Sequence, residues 1–128
     1  KDTNLMAGEL ITAIHLPKPD FATQYYYLKI RERASYAFAI LSVAAGLQIT
    51  DGKITKAGIA MGGVAHKPWK LTNAENYLSG KAPTEANFEA AAKLAMKDAK
   101  PLADNKYKIE MGEKAILRAL TQASQRKA

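Results

Sequence analysis

The sequence contains no cysteine among its 128 residues. This absence excludes a thiolate metal site, an iron–sulfur cluster held by this chain and a cysteine nucleophile. It does not decide the redox compartment, because chains without cysteine occur in reducing and oxidising surroundings alike. A domain of this length buries roughly two-thirds of its unfolded-chain surface, so it needs no disulfide or metal to fold.

Long apolar runs are also missing. No stretch approaches the roughly 18 apolar residues that predict a membrane-spanning helix. Residues 1–6 resemble neither a signal peptide nor a start at an initiator methionine, so we expect the chain to be a piece of a longer protein. We expect that protein in the cytoplasm, with the periplasm as the alternative.

Histidine is scarce as well. His15 and His66 are the two histidines, and neither has a second histidine or a carboxylate at ligand spacing. The motifs of serine hydrolases, P-loop proteins and zinc proteases do not occur. The sequence therefore predicts neither a metal site nor a catalytic residue. Gly62-Gly63 leads into no helix start, which favours a close approach of two backbones over a phosphate loop.

A long hairpin dominates what is present. Residues 38–49 and 53–64 are rich in strand-forming residues, and Asp51-Gly52 between them is a typical hairpin turn. The odd positions of the first strand are all apolar, which predicts one face on a core: Ala39, Leu41, Val43, Ala45, Leu47 and Ile49. The even positions are mixed, so we expect something small or polar above the other face.

Two further strands precede the hairpin. Residues 9–16 alternate, with Leu10, Ile14 and Leu16 on one side, and stop at Pro17. Residues 24–30 are aromatic and β-branched, as is typical of a strand. An irregular link over residues 31–36 follows.

After Trp69 the apolar period changes from two to about 3.6. Residues 73–79 form a predicted helix with a Thr72–Glu75 capping box and a C-terminal Gly80. A second helix begins after Thr84 and ends at Pro101, and a third spans residues 108–124. Four strands followed by three helices predict one α+β domain over residues 1–128: a four-stranded antiparallel sheet with the helices packed on one face.

A polar cluster leaves the strand at residues 24–30. It contains Lys29, Arg31, Glu32, Arg33, Ser35 and Tyr36. One interpretation is a solvated strand exit with an arginine–glutamate pair of little energetic weight. The other is a lip facing an anion or cofactor, in which Lys29 and Arg33 supply positive charge and Tyr36 stacks or hydrogen-bonds. Composition alone favours the first, and the net charge of +7 is itself typical of a solvated lysine-rich surface.

Several segments together resemble a known family. Residues 27–39, 43–45, 57–65 and 67–69 look like the C-terminal domain of the FAD-binding subunit of molybdenum hydroxylases, such as carbon monoxide, xanthine and bacterial aldehyde dehydrogenases. Residues 5–17 are similar to the family's lead-in to that domain. The chain departs from the family at Ser35 or Tyr36, where an acidic residue is common, at His66, and at Tyr107-Lys108, where the family has Tyr-Arg.

The resemblance implies a role in a multi-subunit oxidoreductase. It implies a large subunit with the molybdenum cofactor, a small subunit with two [2Fe–2S] clusters, and an FAD subunit that passes electrons to NAD or another acceptor. An N-terminal domain, absent from this chain, holds most of the FAD. Lys29, Arg33 and Tyr36 are then flavin-proximal, no residue here is catalytic, and this chain alone is expected to be inactive.

Two other functions remain open from the sequence. A basic nucleic-acid-binding module would stack bases on Tyr25-Tyr26-Tyr27, beside Lys29, Arg31 and Arg33. A subunit-docking scaffold would use the helices to join the other two subunits.

Overall fold

The computed structural model describes residues 3–16, 18, 21 and 23–126. The seven elements, in chain order, are β1 (Tyr25–Ile30), β2 (Leu41–Thr50), β3 (Lys53–Gly62), β4 (Trp69–Lys70), α1 (Thr72–Leu78), α2 (Glu85–Met96) and α3 (Tyr107–Gln125). Among these helices, none is long and apolar enough to cross a membrane. The predicted α+β architecture is confirmed.

The four strands form one antiparallel sheet in the order β1-β2-β3-β4. Asp51 and Gly52 close the β2–β3 hairpin with φ angles of 51° and 72°, as the predicted turn requires. The β2–β3 register shifts between Gln48 and Ile49, close to this turn. The hairpin prediction is therefore confirmed, with β2 beginning at Leu41 rather than residue 38.

The helices cover one face of the sheet. α1 packs on β3, α3 packs on β1 and β2, and α2 packs against the other two helices. The predicted inward positions of β2 are buried, with Leu41, Val43, Ala45 and Leu47 all at most 4% exposed. The core between sheet and helices therefore follows from the alternation of β2 and the 3.6-residue stripes of α2 and α3.

Two of the predicted helix signals are confirmed. The Thr84 hydroxyl accepts a hydrogen bond from Asn87 N–H at 3.4 Å and so caps α2. Gly80, two residues after the end of α1, has a φ of 77°.

The predicted Thr72–Glu75 capping box of α1 is wrong. Leu71 occupies the N-cap position and no side-chain hydrogen bond caps the helix. The Glu75 carboxylate instead accepts the backbone N–H of Ile59 at 2.8 Å. Glu75 thereby fastens α1 to β3, because a buried strand amide without a ladder partner requires another acceptor.

The strand predicted over residues 9–16 is also wrong for this chain. These residues are exposed and belong to no strand. The fourth strand of the sheet is instead β4, only two residues long, which pairs with Ala60 and Met61. A period of two shows which residues share a side, but a strand also needs a neighbour to bond.

Candidate functional site

Three chain segments meet at the end of the sheet opposite the hairpin turn. They are residues 31–40, which join β1 to β2, residues 63–68, which join β3 to β4, and residues 106–110 at the start of α3. We call these three segments together the loop end. Antiparallel pairing brings the first two segments side by side, since Ile30 faces Leu41 and Ser42 faces Gly62 across the ladders.

Gly63 holds the loop end together. Its φ is 76°, and a Cβ atom there would lie 2.8 Å from the carbonyl oxygen of Ile40. The Lys108 ammonium donates a hydrogen bond to the Gly63 carbonyl at 3.1 Å. One glycine thus joins all three segments, and the predicted close approach of two backbones at Gly62-Gly63 is confirmed.

Arg33 and Tyr36 form a bracket within residues 31–40. The Arg33 Nε donates to the Tyr36 carbonyl oxygen at 3.1 Å, and Nη2 of the same side chain donates to the same oxygen. The guanidinium carbon lies 6.0 Å from the centre of the Tyr36 ring. Tyr36 has a φ of 50°, which is uncommon for a residue other than glycine, and the bracket stabilises that turn.

The bracket presents aromatic side chains to solvent. Tyr36 is 95% exposed and Phe38 is 99% exposed. Tyr107 and Trp69, at the starts of α3 and β4, are about half exposed. Aromatic rings of this size that remain in water are common at binding surfaces.

The loop end carries more cations than anions. It contains two acidic residues, Glu32 and Glu110, and five basic ones: Arg31, Arg33, Lys67, Lys106 and Lys108. Lys114 donates a hydrogen bond to the Glu110 carboxylate at 2.6 Å. That hydrogen bond, helped by the charge of Lys114, lowers the pKa of Glu110, so this carboxylate stays ionised and has its own partner. The positive excess at the loop end suits an anionic ligand.

The structure brings two of the three predicted site residues together. Arg33 and Tyr36 share the bracket, whereas Lys29 lies exposed on β1, opposite Ser42 of β2. Alternation along β1 places Lys29 on the face away from the helices, with Tyr25 and Tyr27, while Leu28 packs into the core.

The arginine–glutamate pair of the alternative interpretation does not appear in the part of the chain that the structure describes. There, ion pairs join Lys70 to Glu75 and Lys114 to Glu110. Arg33 is used within its own loop, as a hydrogen-bond donor to the backbone.

Lys108 and Phe38 belong to the site although the sequence does not predict it. The bond from Lys108 to Gly63 spans 45 positions of the sequence, so no local pattern signals it. Phe38 falls within the predicted span of a strand that in fact begins at Leu41.

The face of the sheet away from the helices is a shallow groove of about 640 Å³. Small residues form its floor, namely Ala44, Gly46, Gly58 and Ala60. Tyr25 and Tyr27 line one side, and Lys70 lines the other. We call this surface the open face, because no described element covers it.

Within the described ranges, no three histidine or acidic residues come together as a metal site would require. Gly62 and Gly63 lead through a loop into the strand β4 rather than into a helix, so they form no phosphate-binding turn. The loop-end residues fit one wall of a binding site for a planar, anionic group. They do not form a complete site by themselves.

Comparisons with known proteins show which family the chain resembles. Residues 26–123 match the family described as the CO dehydrogenase flavoprotein C-terminal domain. The chain is 39% identical over 122 residues to the aldehyde oxidoreductase FAD-binding subunit PaoB of Escherichia coli K12, covering 95% of this chain and 35% of that protein. It is 30% identical to the carbon monoxide dehydrogenase medium chain of Afipia carboxidovorans, covering 97% of this chain and 44% of that one.

Solved structures show the same architecture. Carbon monoxide dehydrogenase from Hydrogenophaga pseudoflava superposes with a TM-score of 0.78 at 28% identity, over 88% of this chain and 40% of that one. Quinoline 2-oxidoreductase from Pseudomonas putida 86 gives 0.75 at 25% identity, over 81% and 38%. The chain spans between about a third and under half of these proteins' lengths. It belongs to the CO dehydrogenase flavoprotein C-terminal domain family.

Proposed function

We propose that this chain is the accessory C-terminal domain of the FAD subunit of a molybdenum-containing oxidoreductase. The family match over residues 26–123 is the observation that carries the proposal. The partners are then a large subunit with the molybdenum cofactor and a small subunit with [2Fe–2S] clusters. The longer FAD subunit, rather than this chain alone, takes part in the enzyme's reaction.

The loop end and Lys29 form the wall that faces the flavin. The flavin, when bound, relays electrons between the other cofactors and the final acceptor, NAD or another oxidant. Lys29 and Arg33 supply positive charge toward that group, and the exposed ring of Tyr36 supplies a flat apolar surface. The hydrogen bonds from Arg33 to the Tyr36 carbonyl hold this ring in position.

Tyr26 counts against the nucleic-acid alternative. Its side chain packs against the hydrophobic core, while Tyr25 and Tyr27 are exposed on the opposite face of β1. The three tyrosines therefore do not form one stacking platform, as that function would require. The subunit-docking alternative overlaps with the proposed function, since a domain that closes over a flavin also contacts the neighbouring subunits.

The test is the double variant Lys29→Ala/Arg33→Ala in the longer subunit, assembled with its partners. An aldehyde, the class named for the Escherichia coli relative, serves as substrate, and the rates of NAD reduction and of reduction of a small dye are compared. We expect NAD reduction to fall about tenfold, equivalent to ~1.4 kcal/mol of barrier, with dye reduction unchanged.

The control is Lys53→Ala/Lys93→Ala. It removes the same charge from the hairpin-turn end and from α2, where both lysines are exposed. If NAD reduction is equally fast in both double variants and the parent, Lys29 and Arg33 belong to an ordinary solvated surface.

A further inference from the structure

A pocket lies among β4, the start of α1 and the end of α2. We call it the Trp69 pocket, and its volume is about 360 Å³. Its buried lining residues are Met61, Leu71 and Met96, all at most 8% exposed. Since a cavity of about 150 Å³ holds a benzene ring, this pocket has room for one ring with a short side chain.

Trp69 forms one wall of this pocket. The β3–β4 register places Trp69 directly across from Met61, so both side chains lie on the face of the sheet that the helices cover. Met61 is buried there in the core, yet Trp69 is 49% exposed. An indole half in water beside a buried apolar floor indicates a space that no described side chain fills.

The Asp98 carboxylate is the unbalanced charge of the pocket. Lys70, the other charged lining residue, has its ammonium 3.6 Å from the Glu75 carboxylate, so its charge is offset. In the described part of the chain, no hydrogen bond or ion pair engages the Asp98 side chain. Lys97 and Lys100 are close to Asp98 in sequence, but neither lines the pocket.

The neutral polar groups of the pocket also suit a cation. Thr72 and Asn73 line it and are exposed, and their hydroxyl and amide oxygens can accept hydrogen bonds. The pocket lies at the carboxyl end of α2, where the helix dipole favours positive charge. A protonated amine donates to all of these acceptors, and a ring attached to it packs against Trp69 and the apolar floor.

We propose that the Trp69 pocket binds a small organic cation, namely an aromatic ring that carries a protonated amine. The ring lies against Trp69, and the ammonium pairs with Asp98. The three residues predicted to face the flavin line no part of this pocket. The inference therefore goes beyond the proposed function and does not depend on it.

Fluorescence titration of the 128-residue chain tests the proposal, because Trp69 is its single tryptophan. The probes are phenethylamine, which is protonated at neutral pH, and 2-phenylethanol, a neutral molecule of nearly the same shape. We expect phenethylamine to change the Trp69 emission saturably. It should bind at least about tenfold more tightly than the alcohol, because only the amine pairs with the carboxylate.

The variant Asp98→Asn removes the charge and keeps the shape of the side chain. We expect it to weaken phenethylamine binding about tenfold and to leave 2-phenylethanol unchanged. Asp104→Asn is the matched control, since this exposed aspartate lies outside the pocket lining, and it should change neither affinity. Ala99→Leu adds bulk at the exposed rim of the pocket and should weaken both probes.

Three results would overturn the proposal. They are the lack of a saturable emission change with phenethylamine, equal affinity for the amine and the alcohol, and an Asp98→Asn variant that binds the amine as tightly as the parent. The electron-transfer test above can fail while this one succeeds, and the reverse, because the two sets of variants share no residue.

Discussion

Single residues at the loop end have roles that burial alone does not reveal. Gly63 is largely exposed, yet it is the point where two loops and α3 meet. Its left-handed φ would strain any other residue, and its position against Ile40 leaves no room for a Cβ atom. Both properties follow from one need, a tight turn immediately after β3.

Substituting Gly63 by alanine separates these two effects. Gly80 is the matched control, because its φ of 77° is nearly the same but a Cβ atom there would meet nothing within 4 Å. We expect Gly80→Ala to lower the free energy of unfolding by about 1 kcal/mol, from backbone strain alone. Gly63→Ala loses about 3 kcal/mol, because the clash with Ile40 adds to the strain. Urea unfolding measures both, and equal losses would contradict the close approach.

The residue types in the loop end could be recognised from the sequence, but not all of their contacts. The Gly62-Gly63 pair predicts a close backbone approach because glycines at a strand end leave room that any side chain would fill. The sequence places Arg33 and Tyr36 in one cluster but does not predict their contact, because a long side chain has many neighbours within reach. No local pattern predicts the contact between Lys108 and Gly63, since it depends on how α3 packs on the sheet.

At the scale of elements, helices were predicted more accurately than strands. α1 and α3 lie within one residue of their predicted bounds, although α2 ends at Met96, before Pro101. Helical hydrogen bonds are local, so caps and periodicity within one segment specify most of the structure. A strand depends on a partner elsewhere, which is why residues 9–16 have the right pattern and no sheet to join.

Glu75 provides a test at this scale. We expect Glu75→Ala to lower the free energy of unfolding by about 2 kcal/mol, because it leaves the Ile59 N–H without its carboxylate acceptor. Glu75→Gln retains an amide oxygen and loses less. Thr72→Ala costs less than about 0.5 kcal/mol, since that hydroxyl caps nothing.

Thr84→Ala is the positive control for this series, with an expected loss of about 1 kcal/mol at a hydroxyl that does cap a helix. Thermal or urea unfolding of the four variants ranks them. If Thr72→Ala lowers the free energy of unfolding as much as Thr84→Ala does, Thr72 caps α1 after all. That result would contradict the contact between Glu75 and Ile59.

At the scale of the whole molecule, the two faces of the sheet differ: helices cover one face, and no described helix covers the other. The helix-covered face encloses a continuous core, whereas the open face, residues 9–16 and the aromatic rings of the loop end are all uncovered. These surfaces are consistent with a chain that spans only part of its relatives' length. In the proposed function, the residues that face the flavin lie among these exposed surfaces.

An FAD titration of the 128-residue chain and of the longer subunit tests the flavin-wall role most directly, with flavin absorbance and fluorescence as the signals. We predict no stoichiometric binding by the short chain, because it provides a cationic and aromatic wall without a phosphate-binding turn. The longer subunit should bind one FAD per chain. Tight one-to-one binding by the short chain, or none by the longer subunit, would contradict this role.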